Sequence, residues 1–237
     1  MSVVIFVIPE ASCHGRLIDP PARSTAWRYG YDTPINYDDN ALFCGGFSRQ
    51  WNQVNKGRCG ICGDPFDAKI KDHELPNGKY TKPLRITGNY SQGEEILVKV
   101  QLTATHKGFF EFRLCPETSM QKEVTQECLD KNLLKMIKKK GTVLGDDLTK
   151  FYITEDYPRV YSIPVILPSN VTCDRCVLQW TYTCGNNWGR CPDGTGRLGC
   201  GPQETFRGCS DVTISAAQNF KKQIDRNLIL LENDKEV

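Results

Sequence analysis

The sequence predicts a mainly-β protein, two antiparallel sheets packed as a sandwich and stapled by disulfides. Three observations carry that prediction. Runs of apolar–polar alternation recur from residue 84 onward, turn residues separate them, and twelve cysteines are spread along 237 residues.

The elements follow in chain order. "MSVVIFVIPEASC" has an apolar run from Val3 to Ile8, a breaker at Pro9, and small residues at Ala11 and Cys13. That is the order of a secretory signal, although no Lys or Arg precedes the run. Residues 1–13 are expected to be removed, which makes His14 the first residue of a secreted, extracellular product. Residues 14–80 show little periodicity and are rich in Gly, Pro, Asn, Asp and aromatics. They read as a long irregular excursion held by Cys44, Cys59 and Cys62, since a loop that long needs a function or a cross-link to be ordered. "EILVKVQLTA" then alternates, with Ile96, Val98, Val100 and Leu102 on one face. "GFFEFRLC" does the same with Phe110, Phe112 and Leu114, and "YSIPVIL", "CVLQWTYTC" and "CSDVTIS" repeat the signal. Two segments read as helices. Thr125 to Lys140 places Leu129, Leu133 and Met136 at helical spacing, and the tail places Phe220, Ile224, Leu228 and Leu231 on one stripe. The division is therefore a leader (1–13), one domain (14–215) and a tail (216–237).

Composition narrows the function classes. A hydrophobic content of 39% and a charged content of 24% describe a globular chain rather than a disordered one. A formal net charge of +2 gives no electrostatic reason to expect nucleic acid or a membrane as partner, and a soluble monomer is expected. Twelve cysteines point to disulfides and an oxidising compartment. Removal of Cys13 leaves an odd number, so one cysteine is then free or paired between chains. Cys115 with Cys128 closes a loop of suitable length, while Cys184, Cys191, Cys200 and Cys209 allow several pairings. A rival reading takes Cys59/Cys62 and Cys173/Cys176, two CxxC pairs, as the ligands of a structural zinc. Their wide separation and the surrounding cysteines weigh against it.

The chain has three histidines. His73 lies in the polar stretch "KIKDHELPNGKY" and reads as a solvated loop residue. His106 directly follows a strand in "LTATHKGFF". His14 matters because cleavage before it frees an α-amine on the same residue as an imidazole. Amine and imidazole chelate one ion, and a second histidine adds a third nitrogen, a donor set that suits copper. An amine with a pKa of roughly 7.7–8.0 yields its proton readily to a competing metal. An amide nitrogen does not, so this chemistry requires cleavage between residues 13 and 14.

"HGRLIDPPARSTAWRYGYDTPINYDDNALFCGG", "RCGICGD", "LTATHKGFFEFRLC", "TCDRCVLQWTYTCGNNWG" and "GCGPQETFRGCSDV", in that order, resemble the lytic polysaccharide monooxygenases of auxiliary-activity family fifteen. The resemblance covers residues 14–215. It implies an immunoglobulin- or fibronectin-III-like β-sandwich whose flat face carries one copper ion, cycling between Cu(II) and Cu(I), in a histidine brace. His14 and His106 match the brace. Phe206 matches an axial aromatic position, Ala104 the small residue that shapes the solvent-facing side, and Gln203 or Glu204 a polar group behind the metal. An external reductant and O2 or H2O2 are the implied co-substrates. The implied reaction is hydroxylation at C1 or C4 of a sugar in crystalline polysaccharide, chitin ahead of cellulose, after which the glycosidic bond breaks. Trp27, Tyr29 and Tyr31, spaced by two, would share one side of an extended segment and stack on the substrate; Trp188 is the alternative. The competing reading is a non-catalytic polysaccharide-binding protein on the same fold.

Overall fold

The computed structural model describes residues 13–117 and 119–217. The leader up to residue 12 and the helix expected in the tail lie outside the described residues. The first sheet is antiparallel and runs β1 (His14–Asp19), β3 (Glu95–Ala104), β8 (Arg159–Ile166), β5 (Lys135–Met136) across its width. The second runs β2 (Ile86–Ser91), β12 (Thr205–Ser215), β9 (Cys173–Thr183), β4 (Phe109–Pro116), β7 (Phe151–Tyr152), β6 (Val143–Leu144), and its β2–β12 pair is parallel. A separate hairpin, β10 (Trp188–Arg190) with β11 (Gly196–Leu198), stands outside both sheets.

The alternating runs lie where their pattern requires. Val98, Val100 and Leu102 of β3 and Ile163 and Val165 of β8 face Phe110, Phe112 and Leu114 of β4 and Leu178, Trp180 and Tyr182 of β9 in one core. Each such side chain contributes about 1.5–3 kcal/mol by leaving water. β9 departs from simple alternation because its other face is also covered. Val177, Gln179 and Thr181 are buried beneath α2 (Gln126–Lys131) and the irregular segment around Cys44–Cys62, and the Gln179 amide donates to Ile61 O at 2.7 Å.

That irregular segment carries a short helix, α1 (Phe47–Gln50), and is tied down by buried charge. Arg23 Nε donates to Asp211 Oδ2 at 2.7 Å on β12, and Arg175 Nη1 holds the other oxygen at 3.0 Å. Arg23 Nη1 also reaches Glu123 at 2.6 Å and His73 O at 2.7 Å.

The sequence expectations for Thr125–Lys140 and for His73 need correction. The helix expected over Thr125 to Lys140 ends at Lys131. Thr125 caps it by accepting from Cys128 N, but Leu134 N then donates to Phe112 O, and Lys135–Met136 pair with β8. The helical spacing of Leu129 and Met136 is thus spread over two elements, because pairing with open sheet edges outweighs helix propensity. His73 is buried, not solvated. Its Nδ1 lies 3.1 Å from Asp64 Oδ1, its Nε2 lies 3.2 Å from Asn36 Nδ2, and its ring stacks on Tyr80 at 4.5 Å.

All twelve cysteines are paired: 13–184, 44–59, 62–209, 115–128, 173–176 and 191–200. The expected 115–128 pair is present. The zinc reading falls, since the sulfurs of both CxxC motifs are consumed in disulfides. In the intact chain the twelfth cysteine, Cys13, is the partner of Cys184. No helix among the described residues is long and apolar enough to cross a membrane.

Candidate functional site

His14 opens β1 and lies opposite Ala104 across the β1–β3 ladder. His106 follows two residues later, just past the end of β3. Both are partly buried. The turn after His106 is fixed by backbone conformation: Lys107 and Gly108 have φ of 54° and 91°. A Cβ on Gly108 would stand 2.0 Å from Thr183 O, so only glycine fits that approach.

The His14 ring and the His106 backbone both meet one group of aromatic side chains. Phe206, fully buried, has its ring centroid 5.9 Å from that of His14, 5.9 Å from Phe43 and 6.2 Å from Tyr182. The Tyr182 hydroxyl accepts from His106 N at 3.3 Å and donates to Lys107 O at 2.6 Å. Burial raises the pKa of that phenol, which keeps it a donor across ordinary pH. Tyr182 thus braces the His106 turn from beneath while its ring packs beside Phe206.

Gln203 and Glu204 separate in the structure. The Gln203 amide accepts from Asn187 N at 3.0 Å and donates to Asn187 O and Cys200 O at 2.9 and 2.8 Å. It is committed to holding the 185–203 segment. Glu204 is buried, and its carboxylate lies within 4.8 Å of the sulfurs of Cys13 and Cys184, next to His14 in the chain. Those three residues form the one metal-capable triad among the described residues. Its two sulfurs are bonded to each other, so it offers no thiolate.

The expected aromatic face is rearranged. Ala26–Tyr29 form a 3-10 turn, so Trp27, Tyr29 and Tyr31 do not share one side of an extended segment. Trp27 packs edge-on against Tyr37 at 5.6 Å, Tyr31 OH donates to Thr87 O, and Tyr29 remains about half exposed. Arg28 and Arg16 both hold Asp39. The alternative residue, Trp188, is 68% exposed, and its cross-strand partner Leu198 is 67% exposed. The segment that leads into their hairpin starts at Gly185, three residues earlier, whose N–H donates to His106 O at 3.0 Å. On the other flank, Thr105 Oγ1 donates to Glu155 O, two residues before the exposed Tyr157.

Sequence reading missed Tyr182, Phe43, Leu198 and Tyr157. The signal for Tyr182 was present, because its spacing of two from Trp180 places both on the core face. Phe43 and Tyr157 lie in irregular segments, where no period exists to read.

Comparison with known proteins decides the family. The family model described as lytic polysaccharide mono-oxygenase, cellulose-degrading, matches residues 14–212. The chain belongs to the lytic polysaccharide monooxygenases. Within them it is similar to a solved auxiliary-activity family fifteen enzyme from Thermobia domestica, in its Cu(I) state. The two are 43% identical with a TM-score of 0.76, over 86% of this chain and 99% of that one. A chitin binding domain from Burkholderia pseudomallei is far more distant, at 12% identity and a TM-score of 0.46 over 86% of this chain and 100% of that one. No curated protein matches. The monooxygenase is thus a copper-dependent enzyme of oxidative polysaccharide cleavage. The donor chemistry suits the metal: His14 pairs with Ala104 and sets its ring 5.9 Å from that of Phe206, His106 lies two residues past Ala104, and imidazole is a good copper ligand.

Proposed function

We propose that the chain is secreted, is cut between Cys13 and His14, and cleaves crystalline chitin at a copper ion held by His14 and His106. The observation that supports this most directly is the pairing of His14 with Ala104, which sets both histidines against the Tyr182–Phe206 pair. Cleavage converts the Cys13–His14 amide nitrogen into an amine and completes a three-nitrogen set. Bound copper supplies the one-electron chemistry by which an external reductant with O2, or H2O2, hydroxylates C1 or C4 of a sugar and so destabilises the glycosidic bond.

The protein's own groups do the rest. Phe206 closes the core side of the site and excludes both water and a further protein ligand. Tyr182 fixes the backbone at residues 106 and 107, so His106 is positioned before anything binds. Glu204 is the polar group beside the site and can accept a hydrogen bond there; Gln203 is occupied elsewhere. Trp188, Leu198 and Tyr157 offer apolar surface on two flanks of His106, suited to the flat face of a sugar polymer.

Product mass spectrometry tests the reading, on β-chitin and cellulose in parallel because the matching family model describes cellulose-degrading enzymes. Protein beginning at His14, loaded with Cu(II) and supplied with ascorbate, is expected to release oxidised chito-oligosaccharides. Protein retaining Cys13 is expected to release none, and His106→Ala is expected to lose tight copper binding. Oxidised products from cellulose alone would move the substrate. No oxidised product from either polymer would leave the non-catalytic binding reading.

A further inference from the structure

The chain holds two Asn-X-Ser/Thr triplets in which X is not proline: Asn89-Tyr90-Ser91 and Asn170-Val171-Thr172. Such a triplet accepts an N-linked glycan in a secreted protein, and the fold must then house that bulk on its surface. A pattern of three residues arises readily by chance, so its place in the fold decides whether it can be used.

Both asparagines are exposed. Asn170 lies in the turn between β8 and β9, where Val171 packs against the core while Asn170 and Thr172 stay in solvent. Asn89 lies on β2, the edge strand of the second sheet, opposite Thr213 of β12. Its neighbour Tyr90 packs against the core, so the alternation of the strand turns Asn89 to the outer face. Neither side-chain amide makes a hydrogen bond among the described residues. Elsewhere such amides hold the fold together: Asn40 Nδ2 donates to Thr103 Oγ1 at 2.8 Å and Asn55 Nδ2 to Arg49 O at 2.9 Å. A sugar on Nδ2 of Asn89 or Asn170 breaks no such contact.

The two positions share one end of the sandwich. Gly93 N donates to Pro168 O at 3.1 Å and Leu167 N to Glu94 O at 2.9 Å, which ties the turn after β2 to the connection that carries Asn170. Ser91 pairs with Ser215, the last residue of β12. The histidines belong to the opposite end. β9 begins just after Asn170 at Cys173 and ends at Thr183, which pairs with Thr205 next to Phe206. A strand of that length spans about 30 Å.

We propose that Asn89 and Asn170 are N-glycosylated as the chain passes through the secretory pathway, coating with sugar the end remote from His14 and His106 and leaving the histidine end bare. The donor is an oligosaccharide joined through its C1 to a lipid diphosphate. The bond from C1 to the phosphate oxygen breaks, a bond from C1 to Asn Nδ2 forms, the lipid diphosphate leaves, and one amide proton is released. This modification requires the secretion proposed above. The six disulfides point to the same oxidising compartment independently of the leader.

Peptide mass mapping of protein made in cultured insect cells tests this, on medium and cell extract alike. Two forms are compared: the full chain with its own leader, and the chain from His14 behind a leader of proven secretion. Enzymatic glycan release in heavy-oxygen water converts each glycosylated Asn to a labelled Asp. Both positions are expected to carry the label. Asn89→Gln and Asn170→Gln are each expected to lose the mass of one glycan, and the double variant both. Ser91→Ala and Thr172→Ala spare the asparagines but destroy the triplets, so each is expected to lose the same glycan and reports even if an asparagine variant fails to fold. Absence of label at both positions in the second form overturns the proposal, and label at one alone overturns it for the other. An own-leader form kept inside the cell without sugar, beside a labelled second form, refutes the leader reading and upholds the two sites.

Discussion

Glu74 shows how a single residue escapes a sequence reading. It sits in a polar stretch, yet folding buries it beside Asp64, where it accepts from Ile61 N at 2.7 Å. Burial, with a smaller contribution from Asp64, raises its pKa to about 7. A carboxyl whose folded pKa exceeds its unfolded value contributes stability that is full below the unfolded pKa and is lost as pH rises through the folded one. The window runs from roughly pH 4.5 to 7, and the loss is up to about 3 kcal/mol. Glu74→Gln keeps an acceptor for Ile61 N and removes the titration. It is expected to match the parent in thermal midpoint at pH 4.5 and exceed it at pH 8; parallel profiles would refute this. His73 was misread for the same reason. Its neighbours in sequence are polar, and its neighbours in space (Asp64, Asn36, Tyr80) come from elsewhere in the irregular segment. A family pattern marks His14, His106 and Phe206, and the fold sets the His14 and Phe206 rings 5.9 Å apart with His106 two residues past Ala104, the cross-strand partner of His14; that Gln203 is taken up by Asn187 and Cys200 could be seen only in the structure.

Among the elements, the long alternating strands β3 and β4 were readable residue by residue, since one buried face imposes a period of two. The two-residue strands β5, β6 and β7 were not, since two residues have no period. The β10–β11 hairpin was visible only as a cysteine-closed loop, and its exposed pair Trp188 and Leu198 became evident once its base was found on His106. If this hairpin docks the polymer, Trp188→Ala should weaken binding to insoluble chitin several-fold in a pull-down. It should leave the thermal midpoint within about 2 °C, because an exposed ring adds little to stability. Unchanged binding would move docking to the Tyr157 flank.

Across the whole molecule, six disulfides hold a chain whose first third is largely irregular. Their contributions should follow the chain length each one closes. The Cys62–Cys209 pair spans 147 residues and the Cys173–Cys176 pair spans 3. Removing the first by paired alanines is expected to cost about 5 kcal/mol in denaturant unfolding, and removing the second much less. Similar losses would show that native packing, not chain closure, sets the contribution. A chain starting at His14 leaves Cys184 without its partner, so titration of the denatured mature protein should find one thiol per chain, or none with a disulfide-linked dimer. The sandwich was legible because the alternation was. The disulfide map was not, because spacing along a chain does not determine which sulfurs meet. β12 meanwhile serves two surfaces at once: Phe206 faces the core beside His14 on one side of the sheet, while Thr205 and Arg207 face Gln50 and Gly60 of the irregular segment on the other. Its parity is therefore locked. One residue gained or lost beside Phe206 would drive a guanidinium in among Phe43 and Tyr182 and turn the phenyl ring out beneath the irregular segment, disrupting both faces in one event. This strand can vary by substitution, but a length change here is tolerable only in steps of two.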